Sequence, residues 1–311
     1  MLNQLKISNI KNIMLCLLAE KRATKQILGQ KTAISNTTVS DTINSMLKLG
    51  LVVTNGNETS IGGRRSAIYS INHNYGQFLG LELRVGRLIY VVCDSLGKIL
   101  LTRTLLGEEN ELPIQLLYRA VEDAVSHGIT PNLLSIGIGV EGSISYEHQI
   151  ILDSRELDWQ NVHLKEIVER RFYVPTYIDS AVNGQIPLAF YAKDPGCPKD
   201  LMVLHEDFPT KAAISLNGTI LRGARNLCGA LADPDTLLGN MVSSFSCWDV
   251  SRLIIRFQSL QYGKRMQALA DSLAGRQAEI LAQPLNKEDL AQGMALLAET
   301  KWFNSIYFLL E

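Results

Sequence analysis

The chain has 311 residues, 46% of them hydrophobic and 20% charged, with a formal net charge of −1. That length accommodates two domains of roughly 100–200 residues each, and the composition excludes disordered, collagen-like and low-complexity architectures. No apolar run approaches the ~18 residues of a membrane span, and Met1 to Lys21 lacks the basic head, long apolar centre and cleavage site of a signal peptide. The five cysteines (Cys16, Cys93, Cys197, Cys228 and Cys247) are odd in number and never spaced Cys-x-x-Cys, which argues against a disulfide scaffold or a zinc ribbon. A soluble cytoplasmic protein without a membrane partner is the expectation.

Near-neutrality hides an imbalance. Residues 1–72 hold nine Lys or Arg against the three acids Glu20, Asp41 and Glu58, a balance of +6, whereas the remainder holds 21 basic and 28 acidic residues, a balance of −7. A compact basic segment on a larger acidic one suggests that only the first approaches a polyanion.

In chain order, Ile10, Ile13, Met14, Leu17 and Leu18 recur at helical spacing and predict an amphipathic helix over Ser8–Glu20. Thr24 can cap a second short helix with Ile27 and Leu28 inward. After Thr32-Ala33-Ile34, Ser35 can cap a third, Asn36–Leu49, which Gly50 ends; Val39, Ile43, Met46 and Leu47 form its buried stripe. Its remaining face and first turn carry Asn36, Thr37, Thr38, Ser40, Asp41 and Asn44. Short hydroxyl and amide groups of this kind reach phosphates and base edges, and the helix N-terminus favours phosphate. Leu51–Val53 and Ala67–Ile71 read as strands around a tip containing Gly62-Gly63-Arg64-Arg65. Three helices followed by a hairpin with a basic tip is the order of a winged helix-turn-helix, whose third helix enters the major groove. Arg64 and Arg65 can lie along the backbone or in the minor groove. The expected DNA-binding residues are Ser35, Asn36, Thr37, Thr38, Ser40, Asn44, Arg64 and Arg65, and the expected partner is double-stranded DNA. A small helical domain for protein contacts is the alternative.

From Gln77 the pattern changes. Phe78–Leu83, Leu88–Cys93 and Ile99–Leu105 read as consecutive strands, followed by a helix over Pro113–His127, a strand over Leu134–Val140, a helix near Val162–Phe172, a strand at Thr176–Ile178 and a helix to about Ala192. A second block follows with strands at Leu201–Leu204, Ala212–Leu216 and Thr219–Leu221. The repeated order looks like the duplicated ribonuclease H-like core of actin-type sugar kinases. The fold class is thus α/β: residues 1–72 a winged helix-turn-helix, residues 77–311 a body of two lobes, about 77–192 and 193–311.

The whole chain resembles the ROK family (repressors, open reading frames and kinases), in its N-acetylglucosamine and xylose repressor branch. The likeness runs through Ile34–Ser40, Gly50-Leu51-Val52, Gly62-Gly63-Arg64-Arg65, Phe78–Glu82, Gly137–Gly142, Leu157-Asp158-Trp159, Asn217-Gly218, Gly223-Ala224 and Gly293–Ala298. The resemblance implies a glycine-rich first phosphate turn where this chain reads Glu82-Leu83-Arg84-Val85-Gly86, and a second one where it reads Asp207–Ala213. Bulky side chains there would block the backbone approach that glycine permits. Arg256-Phe257 stands where a glycine pair would flank adenosine. The family's Asn-Asp pair with its catalytic base matches Ser180-Ala181, and alanine takes no proton; a register slip would bring in Asp179.

The sugar-contacting Gly-Glu-x-Gly-His element matches Gly229–Asp233, and an asparagine is replaced by Glu156. The cysteine-rich zinc module is absent between Pro234 and Leu237, and zinc needs about four nearby ligands. His148, His163 and His205 are isolated, and Cys228 and Cys247 read as small apolar groups.

The resemblance and these losses together imply a transcriptional regulator of carbohydrate-related genes, not an enzyme, with no catalytic residue, cofactor or metal. The kinase-like body would serve dimerisation and signal reception: a homodimer, and a sugar or sugar-phosphate effector at Gly139, Glu141, Glu156 and Asp179. A sugar kinase with an extra domain, and a regulator that answers a protein partner without sensing sugar, are the alternatives.

Overall fold

The computed structural model describes residues 2–57, 66–127, 132–191, 197–206, 208–230, 249–257, 264, 268 and 279–305. Helix α1 (Leu2–Glu20) turns Ile10, Ile13, Met14 and Leu17 inward, starting earlier than periodicity suggests. Thr24 caps α2 (Lys25–Thr32), accepting the Ile27 amide at 3.4 Å, and Ala33 at φ 57 breaks it. Ser35 caps α3 (Asn36–Lys48), its Oγ accepting the Thr38 amide at 3.2 Å. The turn between them is tight: a Cβ on Gly29 would lie 3.3 Å from the Ile34 carbonyl oxygen and 2.8 Å from the tip of the Asn36 side chain. Val39, Ile43 and Met46 are fully buried with Leu28 and Ile13. Strands β1 (Ala23–Thr24), β2 (Val52–Asn57) and β3 (Ala67–Ile71) form an antiparallel sheet in the order β1-β3-β2. The short β1 carries too few residues to show an alternation in sequence.

Two five-stranded sheets of one topology follow. In the first, β4 (Gln77–Arg84), β5 (Arg87–Asp94) and β6 (Ile99–Leu106) form an antiparallel meander. After α4 (Pro113–His127), β7 (Leu133–Val140) lies parallel to β4, and β11 (Thr176–Ser180) parallel to β7. In the second, β12 (Leu201–His205), β13 (Phe208–Leu216) and β14 (Thr219–Ile220) are antiparallel; β15 (Arg252–Phe257) runs parallel to β12, and β16 (Glu279–Pro284) parallel to β15. In both, the fourth strand lies beside the first and the fifth beside the fourth, which is the duplication the sequence suggested.

Two elements differ from expectation. Between β7 and α5 (Leu164–Phe172) the chain forms β8 (Ser143–Ser145), β9 (Ile150–Ser154) and β10 (Trp159–Val162). Val162, read as a helix start, ends a strand; the apolar positions Ile144, Ile151 and Leu157 that bury this unit are too sparse to mark it in sequence. After β11 comes a 3-10 turn (Ala181–Gly184) and α6 (Gln185–Tyr191); Ala192 lies outside the described residues.

The last helix, α7 (Asp289–Asn304), follows the second sheet in sequence but packs on the first. A Cβ on Gly80 would fall 1.9 Å from Ala291 O, and one on Gly137 2.1 Å from Met294 O. Glycines in β4 and β7 thus let the helix backbone settle directly on the strands. Its first residue, Asp289, pairs with Arg256 of β15 at 3.3 Å, while Trp302 and Phe303 at its other end join the core of the N-terminal helices. Among the described residues no helix is long and apolar enough to cross a membrane.

Candidate functional site

The first polar surface is the start of α3. Ser35, Asn36, Thr37 and Asn44 are exposed, Thr38 and Ser40 half-buried. Ser35 and Thr38 are engaged in the cap itself, their hydroxyls 2.8 Å apart, so the exposed Asn36, Thr37 and Asn44 retain the freest polar groups. Arg64 and Arg65, the expected basic tip, lie outside the described residues.

The second lies where the two large sheets meet. Glu82, Gly139 and Asp179 are register partners across β4, β7 and β11, so two carboxylates flank a glycine at one level of the sheet. Glu82 is buried and accepts Arg84 Nε at 2.6 Å and Arg87 Nη2 at 3.5 Å. Gly139 is enclosed: a Cβ there would sit 2.8 Å from Ala181 Cβ and 2.9 Å from Met294 Cγ.

Asp179 is fully buried. Its Oδ1 accepts the Ser180 amide at 2.8 Å, Asn183 Nδ2 at 2.8 Å and Asn226 Nδ2 at 2.7 Å, and its Oδ2 accepts Arg222 Nε at 2.7 Å. Four donors occupy the carboxylate in this conformation. Lys211, also buried, donates to Asn226 O at 2.5 Å; burial pushes its ammonium down to about 8, with Asp179 opposing the shift. The Arg222 guanidinium lies over the Tyr146 ring, 3.9 Å from its centroid.

Glu156 lies close enough to Glu141 for that carboxylate to act on it electrostatically, and Glu156 Oε1 accepts the Val85 amide at 3.4 Å. Burial pushes the Glu156 carboxyl up, with Arg84 pulling the other way. Glu156 is half-buried and Glu141 exposed, so the two offer polyol hydroxyls carboxyl oxygens as acceptors. Among the described residues no group of three His, Cys, Asp or Glu is placed to hold a metal ion. His205 is buried, its imidazole pushed down to about 3 by burial, with Arg256 and Arg84 adding to the effect. His163 is exposed beside Glu166.

Asp207, Asp233 and the stretch 234–242 of the expected zinc-module deletion, with Cys247, lie outside the described residues. Sequence reading missed Tyr146, Asn183, Arg222, Asn226 and, as a functional group, Lys211. Arg222 lies 43 positions from Asp179, and no periodicity or motif links them.

The ROK family pattern matches residues 79–228. The chain is 29% identical over 218 residues to a xylose repressor of Caldicellulosiruptor bescii, covering 68% of this chain and 55% of that protein. It is 26% identical over 241 residues to a xylose repressor of Bacillus spizizenii, covering 72% and 60%. The match thus spans little more than half the length of these relatives. Among solved structures, a ROK family transcriptional regulator described as a homologue of the E. coli MLC protein superposes with a TM-score of 0.72 at 12% identity, over 98% of each chain. A ROK family glucokinase from Streptomyces griseus superposes with a TM-score of 0.57 at 16% identity, over 72% of this chain and all of that one. Both show a shared fold. Residues 79–228 are therefore a ROK family domain.

Proposed function

We propose that the chain is a DNA-binding transcriptional repressor of the ROK type, controlling carbohydrate-related genes from the cytoplasm as a homodimer. Residues 1–72 act as a winged helix-turn-helix and residues 77–311 as a kinase-like receiver. The observation that carries this reading is α3: a Ser35-capped helix held against α2 at Gly29, with its apolar stripe buried and Asn36, Thr37 and Asn44 facing out. A helix so presented, in a segment of +6 charge, suits the major groove. Ser35, Thr38 and Ser40 would contact phosphates, and Arg64 and Arg65 would reach the backbone or minor groove from the wing. A dimer supplies the second half-site that one recognition helix needs for selectivity.

The similarity to xylose repressors supports a pentose or related sugar as effector. Glu141 and Glu156 would bind its hydroxyls, with Gly139 beneath them and Asp179 positioning the cleft. The same residues argue against phosphotransfer. Arg84 stands in the first turn, Lys211 is buried in the stretch matching the second, Ala181 replaces the base, and Asp179 is saturated with donors. The test is titration of the purified protein onto DNA upstream of its own operon, at several salt concentrations, with and without D-xylose. Sequence-selective binding that falls with salt and with Asn36→Ala supports the reading. Indifference to every duplex, or ATP-dependent phosphorylation of a sugar, overturns it.

A further inference from the structure

We propose that the Tyr146 ring couples the Asp179–Arg222 ion pair in the cleft to the recognition helix, through Lys301 and Trp302 of α7 and Tyr75 of the connecting segment. Tyr146, Lys301 and Tyr75 are thereby positioning residues for the response of DNA binding to the cleft, and the proposal rests on the DNA-binding reading above.

The contacts form an unbroken series. Arg222, bonded to Asp179 at 2.7 Å, places its guanidinium 3.9 Å from the centroid of the Tyr146 ring, and Lys301 Nζ lies 4.6 Å from the same centroid. The backbone that carries the ring is tied to β11, because Gln149 Nε2 donates to the Tyr146 carbonyl oxygen at 2.7 Å while Gln149 Oε1 accepts the Ile178 amide at 2.7 Å, one residue before Asp179. Lys301 precedes Trp302, whose ring centroid is 5.6 Å from that of Tyr75 and 6.1 Å from that of Phe78. Tyr75 in turn covers the end of α3: a Cβ on Gly50 would lie 3.8 Å from its Cδ2. Asn72 ties the same spot, donating to Gly50 O at 2.8 Å and to Leu51 O at 2.9 Å.

The physical content is that two cations share one ring. Each is drawn to the π-face, and the two repel each other. Asp179 neutralises Arg222 and so makes the double occupancy tolerable. A ligand whose oxygens draw Arg222 off Asp179 changes what Lys301 feels, and α7 is packed too closely on β4 and β7 to absorb a shift locally. The two positions of Arg222 supply the two states that such coupling needs.

The test is a double-mutant cycle read by hydrogen exchange and by affinity for the upstream DNA, on the full chain without ligand. Arg222→Ala is expected to speed exchange at residues 45–51 and 72–76 and to change DNA affinity by about fivefold or more, the low end of usual couplings. In a Tyr146→Leu background the same change should do neither, whereas Tyr146→Phe, which keeps the ring, should preserve both. Should Arg222→Ala not fold, Arg222→Lys takes its place in the same cycle. Exchange effects confined to 143–150 and 222–226, or equal in the Tyr146→Leu background, overturn the coupling. If no variant binds DNA, the functional reading fails while the exchange data still decide the relay.

Discussion

Gly293 of α7 rests backbone to backbone on Gly184 of the 3-10 turn: a Cβ on Gly293 would fall 2.2 Å from the Gly184 carbonyl oxygen. Gly184 lies five residues beyond Asp179, so the C-terminal helix forms the back wall of the cleft. Gly293→Ala has no room and must push helix or turn away. A loss of about 1–3 kcal/mol is expected, as for other overpacked cores. Urea unfolding of the two proteins checks it.

Asp179 and Arg222 form a buried ion pair, with side chains 0% and 13% exposed. Asp179→Ala leaves the guanidinium uncompensated beside Lys211 and should cost about 3–5 kcal/mol. Glu166 and Arg170 on α5 are 3.3 Å apart but 57% and 82% exposed, so Glu166→Ala should cost no more than about 1 kcal/mol. Chemical denaturation of both variants distinguishes a pair that closes the cleft from one that only decorates a helix.

The start of α3 separates stability from recognition. Ser35→Ala removes the acceptor for the Thr38 amide and should cost about 1 kcal/mol of stability. Asn36→Ala and Asn44→Ala remove exposed amides and should leave stability intact while weakening binding to the preferred sequence by about 1–3 kcal/mol each, if they contact bases. Arg64→Ala should instead weaken all sequences alike and lower the salt slope by about 1. Thermal melts and salt-resolved DNA titrations check the three together.

Glu299 on α7 makes stability fall with rising pH. Burial pushes its carboxyl from an ordinary 4.5 up to about 8, despite the hydrogen bond from Tyr191 OH at 2.7 Å. The folded protein therefore keeps a proton that the unfolded chain releases between pH 4.5 and 8, and stability drops across that window. His205, pushed down to about 3 by burial, acts oppositely: stability is lost as pH falls from 6.5 toward 3. Glu299→Gln should raise the Tm more at pH 8 than at pH 5. An equal shift at both values would show that the carboxyl is not held protonated.

The elements legible in the sequence are those whose signal is local. The stripe Val39, Ile43 and Met46 repeats at the helical period, Thr24 and Ser35 can accept free helix amides, and the runs at Phe78–Leu83 and Leu88–Cys93 are largely apolar. These gave α2, α3 and the first meander with correct boundaries to within a residue or two. The β8–β10 unit escaped notice because only Ile144, Ile151 and Leu157 anchor it. Of the candidate cleft residues, Glu156 feels the charge of Glu141, and Asp179 is a carboxylate fully engaged by its neighbours.

Sequence alone determined the helices and hairpin of the basic first segment and the repeated strand order of the body, apart from the short β1 and the β8–β10 unit, because hydrophobic period, capping chemistry and charge are properties of neighbouring residues. Only the tertiary structure decided that α7 crosses back onto the first sheet, that Arg222 closes on Asp179, and that the Tyr146 ring meets both Arg222 and Lys301. Those relationships join residues dozens of positions apart, and they arise from how glycine-lined strands admit a helix backbone and how buried charges find their partners.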